Sequence, residues 1–352
     1  MKILMLVNWK IEYTSSVPEN KQPPDYYIKG EPYWFFRHFD NVPDVDVVDI
    51  KTLPPIEAFE KSIHFYIAQT LKVIPKLKEY DVILSHGMQS AVVLSLWRRI
   101  FKTKAKHIVF EIGSFNTAAE SGAALKLMQF ASKSIDGFIY HTKSQLDYYR
   151  RFYPWIVDRC YYIPFGTTVD YFSPEKCSNR EDKNSYMLCI GISARDLKTL
   201  TQAYKLIDTD VKLYIVGGRI PEYEKINGIK MIPRVSINEM SDIIYNARLC
   251  ILPLESYNFS YAQMTLMHQM ALEKCVITAR VPSMVDYIED GKTAVLYEAK
   301  NTGSLAECIQ RLLNNPQEAE SIGKAARKYL LESCNEEIMA REIEKTIQII
   351  TE

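Results

Sequence analysis

The sequence predicts an α/β protein made of two doubly wound, parallel-sheet domains. Two observations carry that expectation. Short apolar runs of strand length alternate with longer stretches of helical spacing, the pattern of a parallel sheet covered by helices on both faces. The alternation also runs twice, with a polar stretch between the two series. The length of 352 residues is ample for two domains at roughly 150 residues each.

In the first series the strand candidates are Ile3–Val7, Val45–Asp49, Asp81–Ser85, Ile108–Glu111, Gly137–His141 and Cys160–Ile163. Helices are expected near Glu31–Phe39 and over about Ile56–Leu77. The second series comprises Tyr186–Ile190, Lys212–Val216, Ile229–Ile232, Leu249–Leu252, Cys275–Thr278 and Ala294–Tyr297. Phe172–Asn184 is polar, contains Pro174 and lacks an apolar period, so it reads as a linker. The expected domains are therefore 1–171 and 172–335. Ile338, Met339, Ile343, Ile347 and Ile350 in the tail recur at helical spacing.

Composition excludes several function classes. Lys and Arg together number 43, equal to Asp and Glu, so the cationic excess of a nucleic-acid binder is absent. Aromatic residues at 12% argue against disorder. Runs such as Cys250–Leu254 fall far short of the roughly 20 apolar residues a membrane span needs. The apolar run after Met1 is too short for a secretory leader and no small-residue cleavage site follows it. Seven cysteines form no Cys-x-x-Cys pair. A reduced, cytoplasmic protein is expected.

Doubly wound domains bind ligands beyond the carboxyl ends of their strands. If those edges of two domains face each other, one cleft lies between them, and chemistry belongs in the loops after the strands. These include Asn8–Lys29, Ser85–Ser90, Glu111–Glu120, Ile192–Lys198, Gly217–Pro221 and Glu255–Thr265.

Specific segments in these places resemble a known family. Ile163-Pro-Phe-Gly-Thr-Thr-Val-Asp-Tyr-Phe-Ser-Pro174, Leu188-Cys-Ile-Gly191, Lys212-Leu-Tyr-Ile-Val-Gly-Gly218, Cys250-Ile-Leu-Pro-Leu254, Met270-Ala-Leu-Glu-Lys-Cys-Val-Ile277 and Asp290-Gly-Lys-Thr-Ala-Val-Leu296 follow in order. Together they resemble the retaining glycosyltransferases of the GT-B fold, in particular glycosyltransferase family 4. The likeness covers about Tyr161–Asn314, and more faintly Tyr80–Gly87 and Asp136–Ser144 in the first half. It implies a first, acceptor-binding domain, a second, nucleotide-sugar-binding domain, and a C-terminal helix, about 336–352, crossing back to the first. It further implies transfer from a nucleotide diphosphate sugar, of UDP or GDP type, without a metal or other cofactor. The acceptor would be a hydroxyl of a saccharide or a lipid-linked molecule.

One departure is plain. The family carries two glutamates eight positions apart in its donor loop, and here Ser260 and His268 occupy those places. Serine, histidine and the adjacent Gln269 can hydrogen-bond a sugar or ribose, but none supplies a fixed negative charge. This marks an atypical branch.

The departing diphosphate must be met by positive charge or fixed donors. Arg195 stands nearest the family's lysine position, with Lys198 in support, whereas Ile192 replaces the usual arginine. Arg195-Asp196 also reads as a surface pair opening a helix. Backbone amides of Tyr261, Ala262, Gln263, Met264 and Thr265 are placed to bind phosphate at a helix start, where Ser260 or Thr265 could equally be an N-cap. Gly191, Gly217 and Gly218 end strands with permissive backbone. The resemblance puts Arg234 in the loop that contacts the base, where a guanidinium can stack.

On the acceptor side, His86 and Glu111 each end a strand candidate. His86 could orient an acceptor or serve as a turn residue; Glu111 could bind an acceptor hydroxyl or pair with Lys104 or Lys106. Trp9, Tyr13, Tyr26 and Tyr27 suggest stacking on sugar rings, or anchors for their loop. Leu94–His107 mixes basic and apolar residues around Trp97, which suits peripheral contact with an anionic membrane or a solvated helix end. Asp44-Val-Asp46 and Asp208-Thr-Asp210 offer too few converging oxygens for a metal site. Two alternatives stay open: a sugar-nucleotide epimerase and a non-catalytic subunit that binds a partner transferase.

Overall fold

A computed structural model describes residues 1–112, 120–179, 183–257 and 259–352. The chain divides into two compact units. The first comprises Met1–Pro164, Asn258–Tyr261 and Glu336–Glu352; the second comprises Phe165–Tyr257 and Ala262–Asn335.

The first unit starts with β1 (Lys2–Leu6), the short strands β2 (Glu12–Thr14) and β3 (Tyr26–Ile28), and β4 (Asp44–Val48). Helices α1 (Pro54–Ile63) and α2 (Ile67–Val73) lead to β5 (Val82–His86) and α3 (Met88–Ile100). Then come β6 (Lys106–Glu111), α4 (Gly122–Ser132), β7 (Gly137–Tyr140), α5 (Gln145–Phe152) and β8 (Cys160–Tyr162). Among the described residues its main sheet has six parallel strands in the order β4-β1-β5-β6-β7-β8. Ile3, Leu4, Met5 and Leu6 are all fully buried, because a parallel strand covered on both faces must be apolar throughout.

The second unit contains β9 (Tyr186–Ile190), α6 (Leu197–Leu206), β10 (Lys212–Val216), α7 (Pro221–Glu224), β11 (Ile229–Ile232), α8 (Ile237–Asn246) and β12 (Leu249–Leu252). It continues through α9 (Gln263–Ala271), β13 (Val276–Ala279), α10 (Pro282–Val285), β14 (Val295–Tyr297), α11 (Thr302–Asn314) and α12 (Pro316–Ser333). Its described strands are again parallel, in the order β11-β10-β9-β12-β13-β14. Side chains cap the helix starts: Asp196 accepts from the Thr199 N–H, Ser236 from Glu239, Asn301 from Ser304 and Asn315 from Glu318. Each such cap satisfies an N–H that has no intrahelical partner.

The last helix, α13 (Glu336–Thr351), belongs to the first unit. Its apolar stripe of Met339, Ile343, Ile347 and Ile350 is buried. The Glu344 carboxylate accepts the backbone N–H groups of Asp40 at 2.8 Å and Asn41 at 3.2 Å. Arg37 pairs with Glu336 at 2.8 Å.

Several expectations need correction. The division between units falls after Pro164 rather than after residue 171. Phe165–Tyr171 joins the second unit because the Phe165 N–H donates to the Tyr287 hydroxyl and Thr167 bridges to Asn335. The helix expected over Ile56–Leu77 is broken, since His64 adopts a left-handed φ of 59° after α1. The helix near Glu31–Phe39 is a 3-10 turn, Trp34–His38. The polar loop after β1 contains the parallel pair β2 and β3, for which the sequence carried no periodic signal.

Candidate active site

In the second unit, strand ends and a helix start converge. The chain leaves β9 through Gly191, whose φ of +88° favours glycine. The Gly191 N–H donates to the Val216 carbonyl at 2.7 Å, and the Gly217 N–H donates to Ile232 at 3.0 Å. Gly217 has φ +126°, and a Cβ there would lie 3.2 Å from the Gly191 Cα. These two turns therefore meet backbone to backbone. A Cβ on Gly218 would come within 2.6 Å of the Ile192 side chain.

Arg195 folds back over the same corner. Ala194 before it is left-handed at φ 54°, and the Arg195 backbone forms an antiparallel bridge with Leu254. Its Nε donates to the Ile190 carbonyl at 2.9 Å, and Nη1 to Ser193 at 3.4 Å. Nη2 donates to the Thr265 hydroxyl at 3.4 Å, which places a cation beside the first turn of α9. Ala262, at the N-cap, is left-handed with φ 65°. A helix N-terminus beside a guanidinium at the carboxyl edge of a parallel sheet is an arrangement suited to a phosphate.

Gly191, Arg195, Gly217 and Thr265 are thus brought together, and Gly218 adjoins them. Lys198 and Arg234 are exposed, on α6 and between β11 and α8. Met264 is exposed at the start of α9. Gln263 instead points inward, donating to the Ser283 carbonyl at 3.1 Å. Ser260 and Tyr261 fall in the first unit, where the Phe259 and Tyr261 rings lie 5.4 Å apart.

His268 is held by protein groups. It is buried, stacks on Phe172 with centroids 3.7 Å apart, and shares a 3.3 Å hydrogen bond with the Thr167 hydroxyl. Burial pushes its pKa down to about 3, so the ring is neutral at pH 7. Gln269 is fully buried, and neither end of its amide has a hydrogen-bond partner among the described residues.

In the first unit, His86 ends β5 and Gly87, at φ 76°, turns the chain into α3. Asn8 Oδ1 lies 3.0 Å from His86 Nδ1, while Asn8 Nδ2 donates to Gln89. That network puts the proton on Nδ1 and leaves Nε2 as an acceptor. The His86 ring stacks on Phe110 at 5.2 Å and meets Trp9 edge-on at 4.6 Å. Burial, and secondarily His141, lowers its pKa to about 3.

On the other side of Phe110 lies His141, 4.3 Å away, with Nδ1 donating to the Ile163 carbonyl at 2.7 Å. Burial holds His141 at about 4. Sequence reasoning read His141 only as a strand end; its position after β7 was the available signal. Asn8 was likewise missed as a partner, since it lies 78 residues from His86.

Glu111 ends β6, fully buried, and its carbonyl accepts from Gln145 at 3.5 Å. Burial, then the Glu111 charge, pushes Tyr149 well above the usual phenol range. Most of the loop that follows, 113–119, lies outside the described residues.

The aromatic residues of the first loop hold one another. Trp9 donates to the Pro24 carbonyl and packs against Trp34, and Tyr27 lies between Tyr13 and Tyr33. Asp46 is occupied by Tyr80 and Lys2. Among the described residues no group of three or more potential metal ligands gathers, and no helix is long and apolar enough to cross a membrane.

With this geometry in place, comparison with known proteins gives a consistent result. Residues 185–315 match the family described as glycosyl transferases group 1. A glycosyltransferase of Methanocaldococcus jannaschii, MJ1178, itself described as uncharacterized, is 26% identical over 165 residues, 47% of this chain and 42% of that protein. The capsular polysaccharide biosynthesis glycosyltransferase CapM of Staphylococcus aureus is 26% identical over 164 residues, 44% of this chain and 42% of CapM. The match therefore spans less than half the length of either relative. The structure of Anabaena HepE in complex with UDP and glucose covers 99% of this chain and 100% of its own, with a TM-score of 0.70 at 13% identity. The second unit carries a glycosyl transferases group 1 domain, and the two parallel-sheet units have the GT-B fold.

Proposed function

We propose that this chain is a retaining, metal-independent glycosyltransferase. It moves a sugar from a nucleoside diphosphate sugar, of UDP or GDP type, to a hydroxyl of a saccharide or lipid-linked acceptor. The carrying observation is the Arg195 guanidinium, anchored on the Ile190 carbonyl and reaching Thr265 at the start of α9. UDP in HepE and the capsular role of CapM support the donor and acceptor classes.

In this reading Arg195 meets the negative charge that develops on the departing diphosphate, with the first amides of α9 beside it. Gly191 and Gly217 let the nucleotide approach the backbone. The first unit binds the acceptor: His86, neutral, accepts a hydrogen bond through Nε2 and orients a hydroxyl. With a pKa near 3 it is too weak a base to remove a proton at pH 7. Exposed Ile100 and Phe101 next to Arg99 support peripheral membrane contact for a lipid-linked acceptor.

The test combines nucleotide-sugar binding, donor hydrolysis and transfer, each with EDTA and with magnesium. Arg195→Ala should lower turnover by about 10²–10³-fold while leaving the far-UV circular dichroism unchanged. A folded chain that binds no nucleotide refutes the reading.

A second reading has its own support. Ser260 and His268 stand at the two positions where the resembled family has glutamates, and His268 is engaged with Phe172 and Thr167. A non-catalytic subunit would bind a partner transferase and show neither donor hydrolysis nor transfer.

A further inference from the structure

A polar cavity lies at the edge of the second unit's sheet opposite to Arg195. Its volume is about 440 Å³, within the usual range for small-ligand sites. Lys183, before β9, Arg248, before β12, and Lys274, before β13, line it, and α12 forms another wall. Strands begin here, whereas Gly191 and Gly217 follow strand ends. Nothing in the proposed transfer reaction uses this edge.

Among the described residues, the lining cations Lys183, Arg248, Lys274 and Lys324 outnumber the carboxylates Glu273 and Glu320. Lys183 and Lys274 converge on one ring, their ammonium nitrogens 4.6 and 5.4 Å from the Tyr245 centroid. Lys183 is held by Asn179 at 3.0 Å and Lys274 by the Ala247 carbonyl at 3.1 Å. These are neutral partners. Arg248 likewise donates to a carbonyl, that of Leu313, at 2.8 Å. Of the lining carboxylates, Glu320 pairs at 2.5 Å with Lys324, a fourth lining cation, and Glu273 faces Arg327 at 3.9 Å while its charge also acts on Lys274. Burial lowers the pKa of Lys274, and the neighbouring Lys183 acts in the same direction. Two like charges beside one cavity, one of them partly desolvated, are stabilised by an anion placed between them.

We propose that this cavity binds a small phosphorylated molecule, its phosphate held between Lys183 and Lys274 with Arg248 at the rim. Lysine suits this role as a point charge for phosphate. The ligand is separate from the nucleotide sugar, and the proposal does not rest on the transferase reading.

The experiment uses the full chain and inorganic pyrophosphate, followed by calorimetric titration and thermal denaturation against sodium chloride of matched ionic strength. Pyrophosphate should still stabilise Arg195→Ala, in which the transfer site no longer competes for it, and in that background binding should be roughly tenfold weaker, or more, on adding Lys274→Met. Lys183→Met, at an exposed position, should show the same weakening and guards against misfolding of the Lys274 variant. UDP binding should be unchanged in both lysine variants. Stabilisation that vanishes with Arg195→Ala but survives both lysine substitutions would assign the anion to the other edge and overturn the proposal. So would a shift no larger than that given by sodium chloride.

Discussion

The Arg195 guanidinium packs against the α-carbon of Gly191: a Cβ at Gly191 would sit 3.2 Å from Nη2 and 3.4 Å from both Cζ and Nε. The cation that reaches Thr265 therefore owes its place to a missing side chain four residues earlier. Glycine here meets two demands at once, since its φ of +88° is also left-handed.

Gly191→Ala should accordingly do more than strain the turn. We expect a loss of about 1–3 kcal/mol in urea unfolding, together with weaker nucleotide binding as the guanidinium is displaced. Retention of full nucleotide affinity in the alanine variant would show that Arg195 does not depend on this contact.

Arg195→Lys should not rescue Arg195→Ala. Lysine cannot reproduce both the Nε bond to Ile190 and the reach to Thr265, because its charge is a single compact point. Turnover of the lysine variant should stay within about tenfold of alanine, well below the 10²–10³-fold expected for full recovery.

Stability should fall in mild acid. His86 and His268 are held at about 3 and His141 at about 4 by burial, and His107 is well below its usual value of 6.5. The unfolded chain takes up these protons near pH 6.5, whereas in the folded chain His86, His268 and His141 do so only near 3 to 4, and His107 also well below its usual value. Stability is thus fully present above pH 6.5 and declines as pH falls towards 4, by up to about 1.4 kcal/mol per pH unit for each ring. Urea midpoints at several pH values check the slope. His268→Phe keeps a ring on Phe172 and should make the profile shallower; an unchanged slope would contradict a neutral, buried His268.

Gly323→Ala places a good helix former inside α12 yet should destabilise the chain. A Cβ there would collide with the backbone carbonyl of Glu273, and a main-chain atom cannot move aside as a flexible side chain can. The gain in helix propensity, about 1 kcal/mol, should be outweighed by overpacking of about 1–3 kcal/mol. A raised melting temperature would refute this.

Glu344→Ala should loosen α13 from the first unit, since both carboxylate oxygens accept backbone N–H groups, from Asp40 and Asn41. Asp40 and Asn41 are exposed, so water can take up their N–H groups and the net loss is about 0.5–1.5 kcal/mol for each hydrogen bond. Faster amide exchange confined to α13 and residues 34–41 is the expected signature.

Much of the framework was legible in the sequence by itself. The strands Tyr186–Ile190, Lys212–Val216, Ile229–Ile232 and Leu249–Leu252 occupy the residues indicated. Tyr186–Ile190 and Leu249–Leu252 are unbroken apolar runs because both faces are covered, whereas the edge strand Ile229–Ile232 exposes Lys230 and keeps its alternate residues apolar. The stripe from Met339 to Ile350 is equally explicit, because helix periodicity is local. Local patterns do not carry which strand ends become neighbours. Strand order decided that Asn8 meets His86 across 78 positions and that Arg195 meets Thr265 across 70. Tertiary packing also decided that His268, the match to a family glutamate, is a neutral ring stacked on Phe172, since desolvation depends on everything that surrounds a group rather than on its place in the chain.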